Sequence, residues 1–125
     1  MPTILITGAS GGLAQEMVKL LPNDQLILLG RNKEKLAQLY GNHPHAELIE
    51  IDITDDSALD TLVADLYLRY GKIDVLINNA GYGIFEEFDQ IADKDIHQMF
   101  EVNTFALMNL SRRLAARMKE SRKGH

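Results

Sequence analysis

The sequence predicts an α/β fold in which a parallel sheet is covered by helices on both faces. Two observations carry that expectation. Short aliphatic, β-branched runs alternate four times with longer segments whose apolar residues recur at helical spacing. In addition, the first run, Thr3 to Thr7, passes straight into a turn containing Gly8, Gly11 and Gly12 and from there into a helix. A strand, a tight glycine turn and a helix in that order form the opening unit of a parallel sheet built with right-handed crossovers.

Each element follows from its residues. The first helix carries Leu13, Met17, Leu20 and Leu21 at helical spacing, and Pro22-Asn23-Asp24 breaks it. Gln25 to Leu29 reads as the second strand and runs into Gly30-Arg31-Asn32. Asn32 can cap a short helix with Leu36, Leu39 and Tyr40 on one face, which Gly41-Asn42-His43-Pro44 stops. Ala46 to Ile51 is the third strand. After Asp52-Ile53-Thr54-Asp55, with Thr54 as the expected N-cap, comes a helix whose inner face is Leu59, Leu62, Val63 and Leu66, ended by Gly71. Ile73 to Ile77 is a nearly continuous apolar run, as expected of a strand covered on both faces, and it opens into Asn78-Asn79-Ala80-Gly81. Residues Tyr82 to Ala92 are weakly patterned. A long helix is expected to start at Asp93 or Asp95, with Ile96, Met99, Phe100, Asn103, Leu107, Leu110 and Leu114 on one stripe. The expected architecture is a Rossmann-type, doubly wound sheet of four parallel strands in the order 3-2-1-4, forming one domain over residues 1–125.

Composition narrows the function. The 13 basic and 18 acidic residues give a net charge of −5, so no basic field exists to attract nucleic acid or an anionic membrane. No cysteine is present, which excludes disulfides, thiolate chemistry and Cys-based zinc sites and fits a reducing cytoplasm. The longest apolar runs are only a few residues, and no positively charged region precedes an apolar one at the N-terminus, so a soluble cytoplasmic protein is expected. The basic stretch Arg112 to His125 reads as the solvated C-terminal end of a helix, where cations suit the dipole.

The glycine turn meets the first helix at its N-terminus. There, free N–H groups and the positive end of the dipole favour a phosphate, and the pattern is that of a dinucleotide pyrophosphate cradle. The end of the second strand bears on which dinucleotide. A site for NAD usually presents Asp or Glu there to hold the ribose 2′-OH, whereas Gly30-Arg31-Asn32 has no acid and offers a forked guanidinium for a 2′-phosphate. NADP is therefore expected ahead of NAD.

Taken together, the motifs resemble those of the short-chain dehydrogenase/reductase family, in its N-terminal, cofactor-binding half. Residues 7–14, TGASGGLA, match the family's TGxxxGxG turn. Asp52 with Ile53 matches its adenine-contacting motif, residues 78–81, NNAG, match its strand-four motif, and Asn103 matches its helix-four asparagine. Ala14 departs from the pattern, which has a third glycine there. The resemblance implies cofactor contacts from Gly8, Ala9, Ser10, Gly12 and Leu13 in the turn, and from Arg31 and Asn32 after the second strand. It also implies contacts from Asp52 and Ile53 to the adenine, and from Asn79, Ala80 and Gly81 beside the ribose. Asp52 could instead serve only in the helix-capping cluster, although the ligand role is favoured, and Asn79 to Gly81 could be a plain turn.

The resemblance further implies oxidation or reduction of an alcohol/carbonyl pair, with Asn103 linking a catalytic lysine to solvent through a water. Helical spacing places this amide on an apolar stripe, so it needs a partner; a bond to the backbone of the fourth strand would serve as well. The family's catalytic Ser and Tyr-x-x-x-Lys have no counterpart, because none of the lysines has a tyrosine four residues before it. The chain is thus expected to be inactive alone and to be part of a longer reductase acting on a small-molecule substrate. A non-catalytic NADP-binding or protein-interaction module is the alternative. Without a fifth strand, the fourth would present a bare apolar edge, from which a homo-oligomer is expected. His43 and His45 in a loop read as a solvent-exposed pair with no third ligand, so no metal site is expected. Ser57, Ser111 and Ser121 lack a partnered histidine, and Glu86-Glu87 reads as solvated.

Overall fold

The computed structural model describes residues 1–79, 94, 106–122 and 124–125. Among them are β1 (Thr3–Ile6), α1 (Gly12–Lys19), β2 (Gln25–Gly30), α2 (Lys33–Tyr40), β3 (Ala46–Glu50), α3 (Asp56–Tyr70), β4 (Val75–Ile77) and α4 (Leu107–Ser121). The strands form one parallel sheet in the order β3-β2-β1-β4, the Rossmann-type order expected.

Period-two alternation sends each strand's side chains to opposite layers, which is why the strand sequences are apolar almost throughout. Leu5, Ile27 and Leu29 point into a core shared with Leu59, Leu62, Val63 and Leu66 of α3 and with Leu110 and Leu114 of α4. Ile4, Ile6, Leu26 and Leu28 face the other way, onto Ala14 and Val18 of α1 and Leu36 and Tyr40 of α2. Each fully buried leucine or isoleucine contributes about 1.5–3 kcal/mol relative to exposure, so two packed layers suffice to fix the register.

Several local expectations change. The buried face of α1 is Ala14 and Val18 with Met17 and Leu21 at its margin, whereas Leu13 and Leu20 are 66% and 80% exposed. The set 14, 17, 18, 21 has the i, i+3, i+4, i+7 spacing of one face, and Leu20 already lies at the C-cap. Leu39 is likewise at the exposed rim of α2. The N-cap of α3 is Asp55, whose side chain accepts the Ala58 N–H at 3.1 Å, not Thr54. β4 is shorter than the apolar run that contains it. Ile73 precedes the strand, buried in the α3/α4 layer, while Val75, Leu76 and Ile77 are half-buried and touch both layers. The edge expected to be bare is paired at one point: the His125 N–H donates to the Asp74 carbonyl and the Leu76 N–H donates to the His125 carbonyl, both at 2.8 Å.

The basic stretch is not solvated along its whole length. Arg113 Nε donates to Asp60 Oδ1 at 2.6 Å, clamping α4 to α3, and the Arg117 guanidinium lies 5.1 Å from the centre of the Tyr67 ring. His43 and His45 are half-buried. The His45 N–H donates to His43 Nδ1 at 3.1 Å, and the opposite nitrogen of that ring lies 3.3 Å from the Leu21 carbonyl, so the ring ties the loop after α2 to the end of α1. No grouping of three metal-ligating side chains occurs among the described residues.

Candidate functional site

The carboxyl ends of all four strands gather at one edge of the sheet, where a dinucleotide binds in doubly wound folds. The turn after β1 is held there from three directions. From β2, the Leu29 carbonyl accepts the Ala9 N–H at 2.9 Å. From the end of β4, the Asn79 N–H donates to Thr7 Oγ1 at 3.0 Å and the Asn79 side-chain amide donates to the Gly8 carbonyl at 3.2 Å. From α2, the Tyr40 hydroxyl donates to the Ala9 carbonyl. Gly8 has φ +60°, a conformation that side-chain-bearing residues rarely adopt, which accounts for glycine at that position.

The start of α1 fits a phosphate. Its N-cap, Gly11, provides no side-chain cap and its first turn contains no acid, whereas α2 and α3 are capped by Asn32 and Asp55. A Cβ added at Gly12 would meet nothing within 4 Å, so the backbone there faces open space. Uncapped N–H groups at the positive end of a helix, approachable at a bare glycine, are what an anion requires. Ala14, the departure from the family's third glycine, is fully buried, and its methyl group fits between helix and sheet.

The remaining expected residues fall around this edge. Arg31 is exposed just beyond β2, and Gly30 before it is tightly covered, since a Cβ there would come within 3.1 Å of Leu36. Asn32 Oδ1 accepts the Lys35 N–H at 3.1 Å, so its side chain works as a cap. Asp52 is exposed at the end of β3 and its Oδ1 accepts both the Thr54 hydroxyl at 2.6 Å and the Thr54 N–H at 3.0 Å. These bonds, with a smaller contribution from the Arg31 charge, hold the Asp52 carboxyl below its ordinary pKa. Ile53 is buried in the α3 layer. Ser10 lies in the turn, where its carbonyl accepts from the Gln15 amide at 3.3 Å, and Leu13 projects into solvent beside it. The expectations for Ala80, Gly81, Asn103, Tyr82 to Ala92, Glu86-Glu87, the start of the long helix and its Ile96, Met99 and Phe100 lie outside the described residues.

Sequence reasoning missed several side chains that shape this edge. Spacing places Tyr40 on an apolar face, and nothing in periodicity says where its hydroxyl goes. Asn78 donates to Ser111 Oγ at 2.9 Å, joining the end of β4 to α4 and giving Ser111 a structural partner. Glu50 Oε1 accepts the Lys33 N–H at 2.9 Å, placing a carboxylate at the N-terminus of α2.

A glycine turn leading into an uncapped helix at the first crossover of a parallel 3-2-1-4 sheet is the arrangement found in dinucleotide-binding α/β proteins. The chain matches the model of the short chain dehydrogenase family over residues 2–125. It is 32% identical over 124 residues to an uncharacterized oxidoreductase of Schizosaccharomyces pombe, covering 98% of this chain and 41% of that protein. It is 34% identical over 128 residues to a ketoacyl reductase of Nostoc sp., covering 98% and 45%. Among solved structures, a short-chain dehydrogenase from Streptomyces avermitilis superposes with a TM-score of 0.88 at 33% identity, covering 98% of this chain and 46% of that one. The chain belongs to the short-chain dehydrogenase/reductase family of oxidoreductases, whose N-terminal part its motifs match. It spans less than half the length of each of these three relatives.

Proposed function

We propose that residues 1–125 form the NADP-binding domain of a reductase or dehydrogenase that interconverts an alcohol and a carbonyl compound. The observation that carries this reading is the uncapped, glycine-lined start of α1, braced by Asn79 and Tyr40, with Arg31 at the end of the neighbouring strand. The cofactor, when bound, supplies or accepts the hydride. The chain's own residues orient it. Backbone N–H groups of Ser10, Gly12 and Leu13 bind the pyrophosphate, those of Ala9 and Gly11 being donated to the Leu29 and Gly8 carbonyls to hold the turn in shape. Arg31, with Asn32 shaping its turn, binds the 2′-phosphate, Asp52 and the backbone of Ile53 hold the adenine, and Asn79, Ala80 and Gly81 flank the ribose.

Asn103 is assigned to the proton path of the complete enzyme. The Ser and Tyr-x-x-x-Lys that polarise and protonate a carbonyl are absent from this sequence, so turnover belongs to a longer protein. The same reading places that protein in the cytoplasm, as a homo-oligomer; the cysteine-free composition supports the first, and the β4 edge, which among the described residues pairs beyond β1 only with His125, supports the second.

Calorimetric titration with NADPH and NADH tests the cofactor assignment. Tighter binding of NADPH is expected, and Arg31→Asp is expected to invert the order through repulsion of the 2′-phosphate. Equal or reversed affinities in the unmodified protein would remove the assignment to NADP, and an Arg31→Asp variant with unchanged preference would remove Arg31 from the 2′-phosphate site.

A further inference from the structure

The turn that carries Arg31, Gly30-Arg31-Asn32-Lys33, has no acid before Glu34 in the first turn of α2, and the fold brings a second carboxylate to it. Glu50 is the register partner of Gly30 across the β2/β3 ladder, and the next residue, Ile51, donates its N–H to the Gly30 carbonyl at 2.9 Å. Strand alternation puts Glu50 on the same side of the sheet as Leu48, the side covered by α2. There its Oε1 accepts the N–H of Lys33, the first residue of α2, at 2.9 Å. With Asn32 accepting from Lys35, the N-terminus of α2 is served by the chain's own acceptors, one of them charged.

We infer that Glu50 is a specificity-determining residue whose carboxylate opposes a 2′-phosphate bound at Arg31 and holds the preference for NADP over NAD below what Arg31 alone would give. The inference rests on the proposed NADP site. A 2′-phosphate at this turn carries up to two negative charges and meets both the field of the Glu50 carboxylate and its prior claim on the Lys33 N–H. A ribose 2′-OH is neutral and can donate to a carboxylate, so NAD is not penalised. At a solvent-exposed edge, like charges several ångströms apart weaken binding by a few-fold to about tenfold, and salt reduces the effect.

The test is the ratio of NADPH to NADH affinity, measured by calorimetry at fixed ionic strength for the unmodified protein, Glu50→Gln and Arg31→Ala. Glutamine keeps an oxygen to accept the Lys33 N–H, and thermal melts of each variant confirm that the fold is retained. Glu50→Gln is expected to raise the ratio about three- to tenfold, chiefly by tightening NADPH, with the gain shrinking as salt is added. An unchanged ratio, or equal changes for both dinucleotides, would overturn the inference. Arg31→Ala keeps the two proposals apart. If it leaves the ratio unaltered while Glu50→Gln raises it, the assignment of Arg31 fails and Glu50 opposes a 2′-phosphate that Arg31 does not hold. If Arg31→Ala lowers the ratio while Glu50→Gln leaves it unaltered, Arg31 stands and Glu50 fails. Binding of neither dinucleotide by any variant overturns both.

Discussion

Asp52 shows how far single residues can be read. The sequence allows two roles, adenine contact or capping cluster, and the structure ties its Oδ1 to Thr54 while leaving the residue exposed at the strand end. Asp52, Thr54 and Asp55 all satisfy capping preferences, and pattern alone cannot decide which oxygen reaches which N–H; the geometry gives the helix cap to Asp55. Tyr40 lies at the other extreme. Its ring belongs to an apolar stripe that spacing reveals, but its bond to the Ala9 carbonyl spans 31 residues and leaves no local signature. Burial also raises the pKa of this phenol, which keeps it a donor at all ordinary pH values. Tyr40→Phe removes the bond and leaves a carbonyl of the turn without this donor. The expected cost is about 1–3 kcal/mol in urea unfolding, together with weaker binding of both NADPH and NADH. Loss of stability with undiminished affinity for both would show that the hydroxyl does not position the turn.

At the scale of elements, strands were the most legible because β-branched and aliphatic runs such as Gln25–Gly30 and Thr3–Ile6 fit one state and must be covered on both faces. Helix faces were less so. In α1 the large leucines at 13 and 20 dominate the apolar pattern, while the face that packs uses Ala14 and Val18, because close approach of helix to sheet beside the turn favours small side chains. The link between β3 and α3 was not visible at all. Arg69 forms a forked pair with Glu47, both bonds 2.7 Å, and the Tyr70 hydroxyl donates to the same carboxylate. The Arg69 bonds hold the Glu47 carboxyl below its ordinary 4.5, and burial first, then the Glu47 bond, push the Tyr70 phenol up to about 12.

A carboxylate whose folded pKa is depressed contributes stability that is fully present above its unfolded pKa and is lost as the pH falls through the folded value. Asp52, Asp60 and Asp74 are shifted in the same direction. Thermal stability is therefore expected to hold from neutrality down to about pH 4.5 and to decline below it, and Glu47→Gln should flatten that decline while lowering the plateau. A melting temperature that rises on acidification below about pH 4 would contradict the assigned ion pair.

For the whole molecule, a parallel sheet covered on both faces followed from four alternations of strand and helix, and the strand order from the Rossmann pattern that the glycine turn opens. The glycine turn itself was equally visible, because glycine spacing at a strand end is a local property. What surrounds it was not. The bracing by Asn79 and Tyr40 and the carboxylate brought by Glu50 come from segments 31 to 71 residues away or from a neighbouring strand, and only the fold assembles them. Because the sequence lacks Tyr-x-x-x-Lys, this chain is expected to transfer no hydride to aldehydes or ketones under NADPH oxidation assays. Turnover that persists through purification and vanishes on Asn103→Ala would mean that the catalytic groups lie elsewhere.

A dinucleotide lying across the carboxyl ends of the strands, with its pyrophosphate on the start of α1, should be visible residue by residue in the amide chemical shifts of the isotopically labelled protein titrated with NADPH. Saturable shifts are expected at Gly8 to Leu13, Arg31, Asp52 to Ile53 and Asn79, with the outer faces of α3 and α4 unmoved. Shifts confined to those outer faces, or none at saturating NADPH, would contradict this placement.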